Sequence, residues 1–208
     1  MKKIVKQTLF SIARTADSII GDWGLHIHSR GLSFEPEDRG RNQDAFRFEG
    51  TTHLSILRII RLVKPKPDDV VFELGCGKGR ALCHFARCHV RRVVGIEISK
   101  FLSEIAKSNA QSLRRPHAPI EILNMDVATA YLGEGTIFYM FNPFGAKTLK
   151  NVLENIERTY NVLKKPLVII YMNATLSHIF NEFPWLKVFS DYHRLNGQRV
   201  LIYRTTNK

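Results

Sequence analysis

Apolar residues in this chain follow two rhythms, and their alternation outlines a fold. Short, largely apolar runs recur at residues 70–74 (VVFEL), 92–98 (RVVGIEI), 120–127 (IEILNMDV), 136–144 (TIFYMFNPF) and 167–172 (LVIIYM). Runs of this length and composition read as strands of a buried sheet. Between them the spacing becomes helical, over 78–88, over 99–113, and over 146–163, where Leu149, Val152, Leu153 and Ile156 share a face. Upstream, Leu54, Leu57, Ile60 and Leu62, with basic residues between them, predict an amphipathic helix stopped by Pro65 and Pro67. Strands that alternate with helices imply a parallel sheet. The ending differs: residues 185–190 and 199–204 are short strands joined by a turn containing Asn196 and Gly197, the pattern of an antiparallel hairpin. The expectation is an α/β three-layer sandwich around a mostly parallel seven-stranded sheet that ends in that hairpin. Before it, residues 4–20 predict a helix, and 21–50, rich in Gly, Asp, Arg and Asn, read as a loop-like lid. The chain therefore divides into an N-terminal extension, 1–50, and a catalytic domain, 51–208.

The polar residues that interrupt the strands fall at their carboxyl ends, where open α/β sheets place a ligand crevice. The first strand passes through Glu73 into Gly75, Gly77 and Gly79, a turn whose missing side chains let the backbone approach a ligand closely. The second ends on Glu97, 22 residues after Gly75, where a carboxylate accepts from ribose hydroxyls. The third ends on Asp126, and the fourth runs into Asn142, Pro143 and Phe144.

This series, acid and GxGxG in FELGCGKG, acid in GIEIS, acid in NMDVA, then NPF, resembles the class I S-adenosylmethionine-dependent methyltransferases over roughly residue 48 to the C-terminus. With the upstream Gly50-Thr51-Thr52, it is similar to small enzymes distantly related to the non-SET histone-lysine methyltransferases. The resemblance implies S-adenosylmethionine as cofactor: Glu73 and the Gly75–Gly77–Gly79 backbone at the methionine tail, Glu97 and Ile98 at the ribose, and Asp126 at the adenine amino group with Met125 or Val127 against the ring. Thr51 and Thr52 either hydrogen-bond the tail or cap the helix that follows. Lys78 and Arg80 either pair with the cofactor carboxylate or face water. Related nitrogen methyltransferases use an Asn-Pro-Pro-aromatic motif to hold the acceptor. The resemblance makes Asn142, Pro143 and Phe144 catalytic residues, with Asn142 also beside the cofactor, although only one proline is kept and the plain alternative is a strand terminator with Phe144 in the core. Tyr139 and His53 lie within reach of the pocket without a base role. The implied reaction is N-methylation of a protein lysine, with RNA or a small-molecule amine as other acceptors.

Charge sharpens the partner question. The net charge is +12, and residues 51–115 hold 13 basic against 5 acidic side chains, a field that attracts RNA, an acidic protein or an anionic membrane. No apolar run reaches the roughly 20 residues a membrane helix needs, and Lys6, Arg14 and Asp17 interrupt the first apolar stretch, so no stable membrane insertion and a cytoplasmic location are expected. Residues 1–16 hold Lys2, Lys3, Lys6 and Arg14 but no acid, which fits either a helix packed on the domain or an amphipathic surface helix or presequence. Cys76, Cys83 and Cys88, with His84 and His89, match no zinc spacing, so no metal is expected. The chain is expected to be a monomer or homodimer. A nicotinamide oxidoreductase is disfavoured by the short GCGKG spacing and the hairpin. A non-catalytic cofactor-binding adaptor is disfavoured by acids kept at three strand ends.

Overall fold

The computed structural model of the protein describes residues 2–31 and 50–205, with residues 2–10 described through their backbone alone. Helices α1 (Lys2–Leu25) and α2 (His53–Val63) precede an alternation of β1 (Val70–Leu74), α3 (Arg80–Ala86), β2 (Arg92–Glu97), α4 (Lys100–Ser112), β3 (Ile120–Asn124), β4 (Ile137–Phe141), α5 (Ala146–Leu163) and β5 (Val168–Met172), closed by β6 (Leu186–His193) and β7 (Arg199–Thr205). The sheet order is β3-β2-β1-β4-β5-β7-β6. Strands β1 to β5 pair in parallel, whereas β7 runs antiparallel to both β5 and β6.

Each expected strand is present: β1 has the expected bounds, β2, β3 and β4 stop one to three residues earlier at their carboxyl ends, β5 starts one residue later, and β6 and β7 run three residues and one residue further than expected. All five residues of β1 are buried, which is why its pattern is continuous rather than alternating. The sheet separates two apolar layers. On one side, α5 places Leu149, Val152, Leu153 and Ile156 against Phe138 and Met140. On the other, α2 and α3 place Ile56, Ile59, Leu82 and Phe85 against Val71, Val93 and Tyr139. Near the hairpin, Phe180 stacks on Tyr203 with ring centroids 4.2 Å apart, and Tyr160 stacks on Trp185 at 5.4 Å. Where β6 pairs with β7, an irregularity between Val188 and Ser190 bends the exposed edge.

The N-terminal reading needs correction. Helix α1 does not stop near residue 20 but runs through Gly21 and Gly24 to Leu25. Gly21 is there for space: a Cβ on it would lie 2.2 Å from His53 Cγ. The glycine that looked like a helix breaker lets α2 approach α1. The remainder of the expected lid, residues 32–49, lies outside the described residues.

Asp17 fastens the same contact. Its carboxylate accepts from the backbone amides of His53 (2.7 Å) and Leu54 (3.0 Å), two amides in the first turn of α2 that have no intrahelical partner. Thr52 caps the same helix end by accepting from Ser55 N at 3.4 Å.

Candidate active site

At the carboxyl ends of β1, β2 and β4 lies a cleft enclosing about 920 Å³ of empty space, the open solvent at its mouth included. Of the residues expected to form the site, Thr51, Glu73, Gly75, Gly77, Glu97, Ile98, Asp126, Val127, Pro143 and Phe144 line it. Thr52, Gly79 and Asn142 do not. Thr52 caps α2. Gly79 caps α3 and faces α4, where a Cβ would stand 3.2 Å from Ala106 Cβ.

The glycine turn has the backbone its sequence demands. Gly75, Gly77 and Gly79 have φ values of 74°, 53° and 77°, the left-handed region in which a Cβ is strained. At Gly75 an added Cβ would also lie 2.6 Å from Pro143 Cβ, so the turn after β1 and the turn after β4 touch.

The carboxylates are fixed by backbone amides. Glu73 Oε2 accepts from Leu82 N at 2.9 Å, at the start of α3. Full burial raises its pKa well above the usual carboxyl value, the Leu82 amide opposes that rise, and the nearby Glu97 charge adds to it. Glu97 accepts from Gly77 N at 2.7 Å and Ser99 N at 2.9 Å, which fixes its plane and ties the glycine turn to the end of β2. Asp126 accepts from Ala128 N at 2.9 Å and so starts the 3₁₀ turn Val127–Thr129. Met125 and Val127 flank it on the cavity wall.

Of the two cations that open α3, only Arg80 lines the cavity. It donates from Nε to Ser29 Oγ at 2.7 Å and from Nη1 to Thr51 O at 2.8 Å, with Asp22 3.8 Å away. Lys78 instead donates to the carbonyls of Arg30 (2.6 Å) and Gly31 (3.3 Å), so it neither lines the cavity nor faces open water.

Asn142 is in a left-handed conformation, φ 40°, with its amide facing β5. Its Oδ1 accepts from Tyr171 Oη at 2.6 Å and Thr175 Oγ1 at 3.1 Å. Tyr171 Oη in turn accepts from Leu176 N at 3.3 Å. Neither Tyr139 nor His53 reaches the cavity, although both seemed near it in sequence. Tyr139 is hydrogen-bonded to Thr51 Oγ1 at 2.7 Å, and His53 is paired with Asp22 and His84. Ile56, Cys76, Leu102 and Phe141 complete the wall unforeseen. Leu102 had a signal in the first turn of the helix after Glu97. Ile56 was missed because the apolar face read for α2 is Leu54, Leu57, Ile60 and Leu62, whereas the helix buries Ile56, Ile59 and Val63 and leaves Leu54 and Leu57 exposed.

The residues present fit a flat, polyfunctional, cationic ligand. Three carboxylates, the side-chain-free backbone at Gly75 and Gly77, and the Arg80 guanidinium share the lining of the cleft.

Comparison with known proteins agrees. Residues 71–166, which contain the glycine turn, all three acids and the Asn-Pro-Phe turn, match the family model described as "Methyltransferase domain". No curated protein matches the chain. Among solved structures, an RNA methyltransferase from Salinibacter ruber in complex with S-adenosyl-L-homocysteine superposes with a TM-score of 0.57 at 22% identity, covering 77% of this chain and 95% of that one. Magnesium protoporphyrin IX methyltransferase from Synechocystis with bound SAM gives 0.56 at 14% identity, covering 76% and 87%. The ribosomal protein L11 methylase from Lactobacillus delbrueckii subsp. bulgaricus gives 0.55 at 16%, covering 74% and 76%. These three likenesses are likenesses of fold, whereas the matched domain spans the motifs themselves, and on that ground the chain contains a methyltransferase domain of the class I, S-adenosylmethionine-dependent kind.

Proposed function

We propose that this enzyme methylates an amine nitrogen, in the first place that of a protein lysine side chain. The observation that carries the reading is the contact between Gly75 and Pro143. It sets the turn that would hold the methionine portion of the cofactor directly beside the Asn-Pro-Phe turn that would meet the acceptor. In this reading Glu73 and the backbone of Gly75 and Gly77 hold the tail, Arg80 and Thr51 face its carboxylate, Glu97 and Ile98 hold the ribose, and Asp126, Met125 and Val127 hold the adenine. When bound, S-adenosylmethionine supplies a methyl group on a cationic sulfur, open to direct displacement by a neutral nucleophile.

The chain's own task is then position and dryness. Pro143 and the buried ring of Phe144 wall the acceptor end of the cavity and exclude water from it. Asn142 acts on the backbone of that turn: with its amide oxygen held by Tyr171 and Thr175, it fixes the left-handed bend that aims Pro143 at Gly75. The carboxylates along the wall favour a cationic partner and repel anionic acceptors from the same space.

RNA is the second reading, supported by the basic excess of residues 51–115 and by the fold likeness to an RNA methyltransferase. The test is labelled-methyl transfer to a cell extract, digested separately with protease and with ribonuclease, followed by acid hydrolysis. Label recovered as methyl-lysine, lost with protease and unaffected by ribonuclease, is expected. Label destroyed by ribonuclease supports RNA instead, and label in low-mass material that survives both digestions overturns the macromolecular reading.

A further inference from the structure

The outward face of α1 is apolar and that of α2 is apolar and basic, and no other element among the described residues covers either. On α1, Ile12, Ile19, Ile20 and Trp23 are 60, 46, 68 and 74% exposed. Together with exposed Ala16 they fall within a sector of about 100° on a helix of 3.6 residues per turn. Single exposed apolar residues are ordinary, but a stripe along one helix is a contact surface. The sequence extends the same four-three spacing backward through Leu9 and Val5 and adds Lys2, Lys3 and Lys6.

The acids of α1 are turned away from this stripe. Asp17 is spent on the amides that begin α2, and Asp22 is buried against Ser29 and His53. On α2, Leu54, Leu57, Arg58 and Arg61 share the exposed face. From Gly50 to Pro67 the chain contains no acid, while Arg58, Arg61, Lys64 and Lys66 are all exposed.

We propose that these two helices form a docking surface for an anionic lipid bilayer, with α1 lying in the plane of the headgroups. The charge is complementary: aliphatic side chains and an indole enter the acyl boundary while lysines and arginines meet the lipid phosphates. No helix among the described residues is long and apolar enough to cross a membrane, so the contact is peripheral. A second copy fits less well, because a symmetric contact would oppose the same cations to one another. Nucleic acid also fits less well, because isoleucines have nothing to bury against on a phosphate backbone, which is met by cations and stacking rings.

The test uses the full chain with vesicles of phosphatidylcholine alone or with about one third phosphatidylglycerol. Partition onto the anionic vesicles at least ~10-fold above the neutral ones is expected, falling as salt is raised, with a blue shift of tryptophan emission that disappears in Trp23→Phe. The triple variant Ile12→Ser, Ile19→Ser, Trp23→Ser and, independently, the pair Arg61→Gln, Lys66→Gln each lower partition by about tenfold without lowering the melting temperature, since the side chains are exposed. Three results overturn the proposal: equal partition on both vesicles, wild-type partition by the variants, or a salt-sensitive complex with polyuridylate in place of vesicle binding. So does a dimer that the triple variant converts to monomer when no vesicle binding is seen.

Discussion

Asp22 on α1 accepts a hydrogen bond from His53 Nε2 on α2 at 3.0 Å, and through His53 it is joined to His84 on α3, whose Nε2 lies 2.7 Å from His53 Nδ1. Three helices that bring no obvious chemistry to the sheet are thus linked by one buried polar line ending beside Arg80, the cation of the cavity. Asp22 can carry its charge there. Burial opposes ionisation, but hydrogen bonds from His53 and Ser29, and then the Arg80 charge, hold its carboxyl below the usual value. The N-terminal helix is therefore part of the support of the cofactor site, through Asp22 and Ser29 to Arg80.

Gly21→Ala tests how closely the first two helices must approach. Helix propensity alone favours alanine by about 1 kcal/mol. The Cβ, however, would meet the base of the His53 ring rather than a flexible tip, and overpacking of this kind costs ~1–3 kcal/mol. A lower melting temperature is expected, and combining Gly21→Ala with His53→Ala should give less than the sum of the two losses. A melting temperature raised by Gly21→Ala would show that the helices do not meet as described.

The buried histidine of α3 makes stability depend on acid. Burial, and then the neighbouring His53, push the His84 pKa down from 6.5 to about 3. The unfolded chain therefore takes up a proton below about pH 6.5 that the folded chain refuses until about pH 3, so stability falls with acidification across that window, by at most ~4–5 kcal/mol from this group. Glu73 acts in the opposite sense: its raised pKa makes the folded chain the better proton acceptor above about 4.5, which adds stability on acidification. The difference between wild type and His84→Gln isolates the histidine. Urea midpoints measured from pH 7 to pH 4 should fall less steeply in the variant, and parallel curves would refute the assignment.

The strands were legible because β1, β4 and β5 are covered on both faces and so are apolar but for Glu73, and because Glu73, Glu97 and Asp126 sit at or just beyond the ends of β1, β2 and β3. Helix α5 was legible to the residue, since its apolar face is regular and Gly145 precedes it. Other features depend on partners far away in the chain. Gly21 looks like a stop until His53, 32 residues later, is seen against it. Asp22 and His84 carry no local sign of each other. Lys78 and Arg80 are equivalent as charges in a helix-opening turn, and only the position of residues 29–31 decides which of them looks into the cavity.

Arg80 and Lys78 therefore make a matched pair for measurement. If Arg80 faces the cofactor carboxylate, Arg80→Met loses a charge-assisted contact worth ~1.5–3 kcal/mol, or about 10- to 100-fold in S-adenosylmethionine affinity. Lys78→Met, which removes the ties to Arg30 and Gly31, is expected to lower the melting temperature while leaving affinity within about threefold. Calorimetry with S-adenosylmethionine and its demethylated product decides the matter. Equal losses in the two variants would mean that Arg80 acts by holding Thr51 and Ser29 and not by touching the ligand.

Tyr171 offers the sharpest test of Asn142, because it changes nothing at the cavity wall. The tyrosine donates its proton to Asn142 Oδ1 and stacks on Phe180 with centroids 5.5 Å apart, so Tyr171→Phe keeps the ring and removes this bond together with the longer one from Leu176 N. Losing it leaves Thr175 as the sole described donor to a residue at φ 40°, and the turn that carries Pro143 and Phe144 loosens. Tyr171→Phe is expected to lower kcat by ~10- to 100-fold, comparably to Asn142→Ala, with S-adenosylmethionine affinity little changed, because misalignment of the acceptor end slows transfer without weakening cofactor contacts. The double variant should be no slower than Asn142→Ala alone, since both remove the same support. A Tyr171→Phe enzyme with full kcat beside an inactive Asn142→Ala would place the asparagine amide on the acceptor itself, as in the Asn-Pro-Pro-aromatic enzymes, and would mean that its oxygen turns from β5 into the cavity during the reaction.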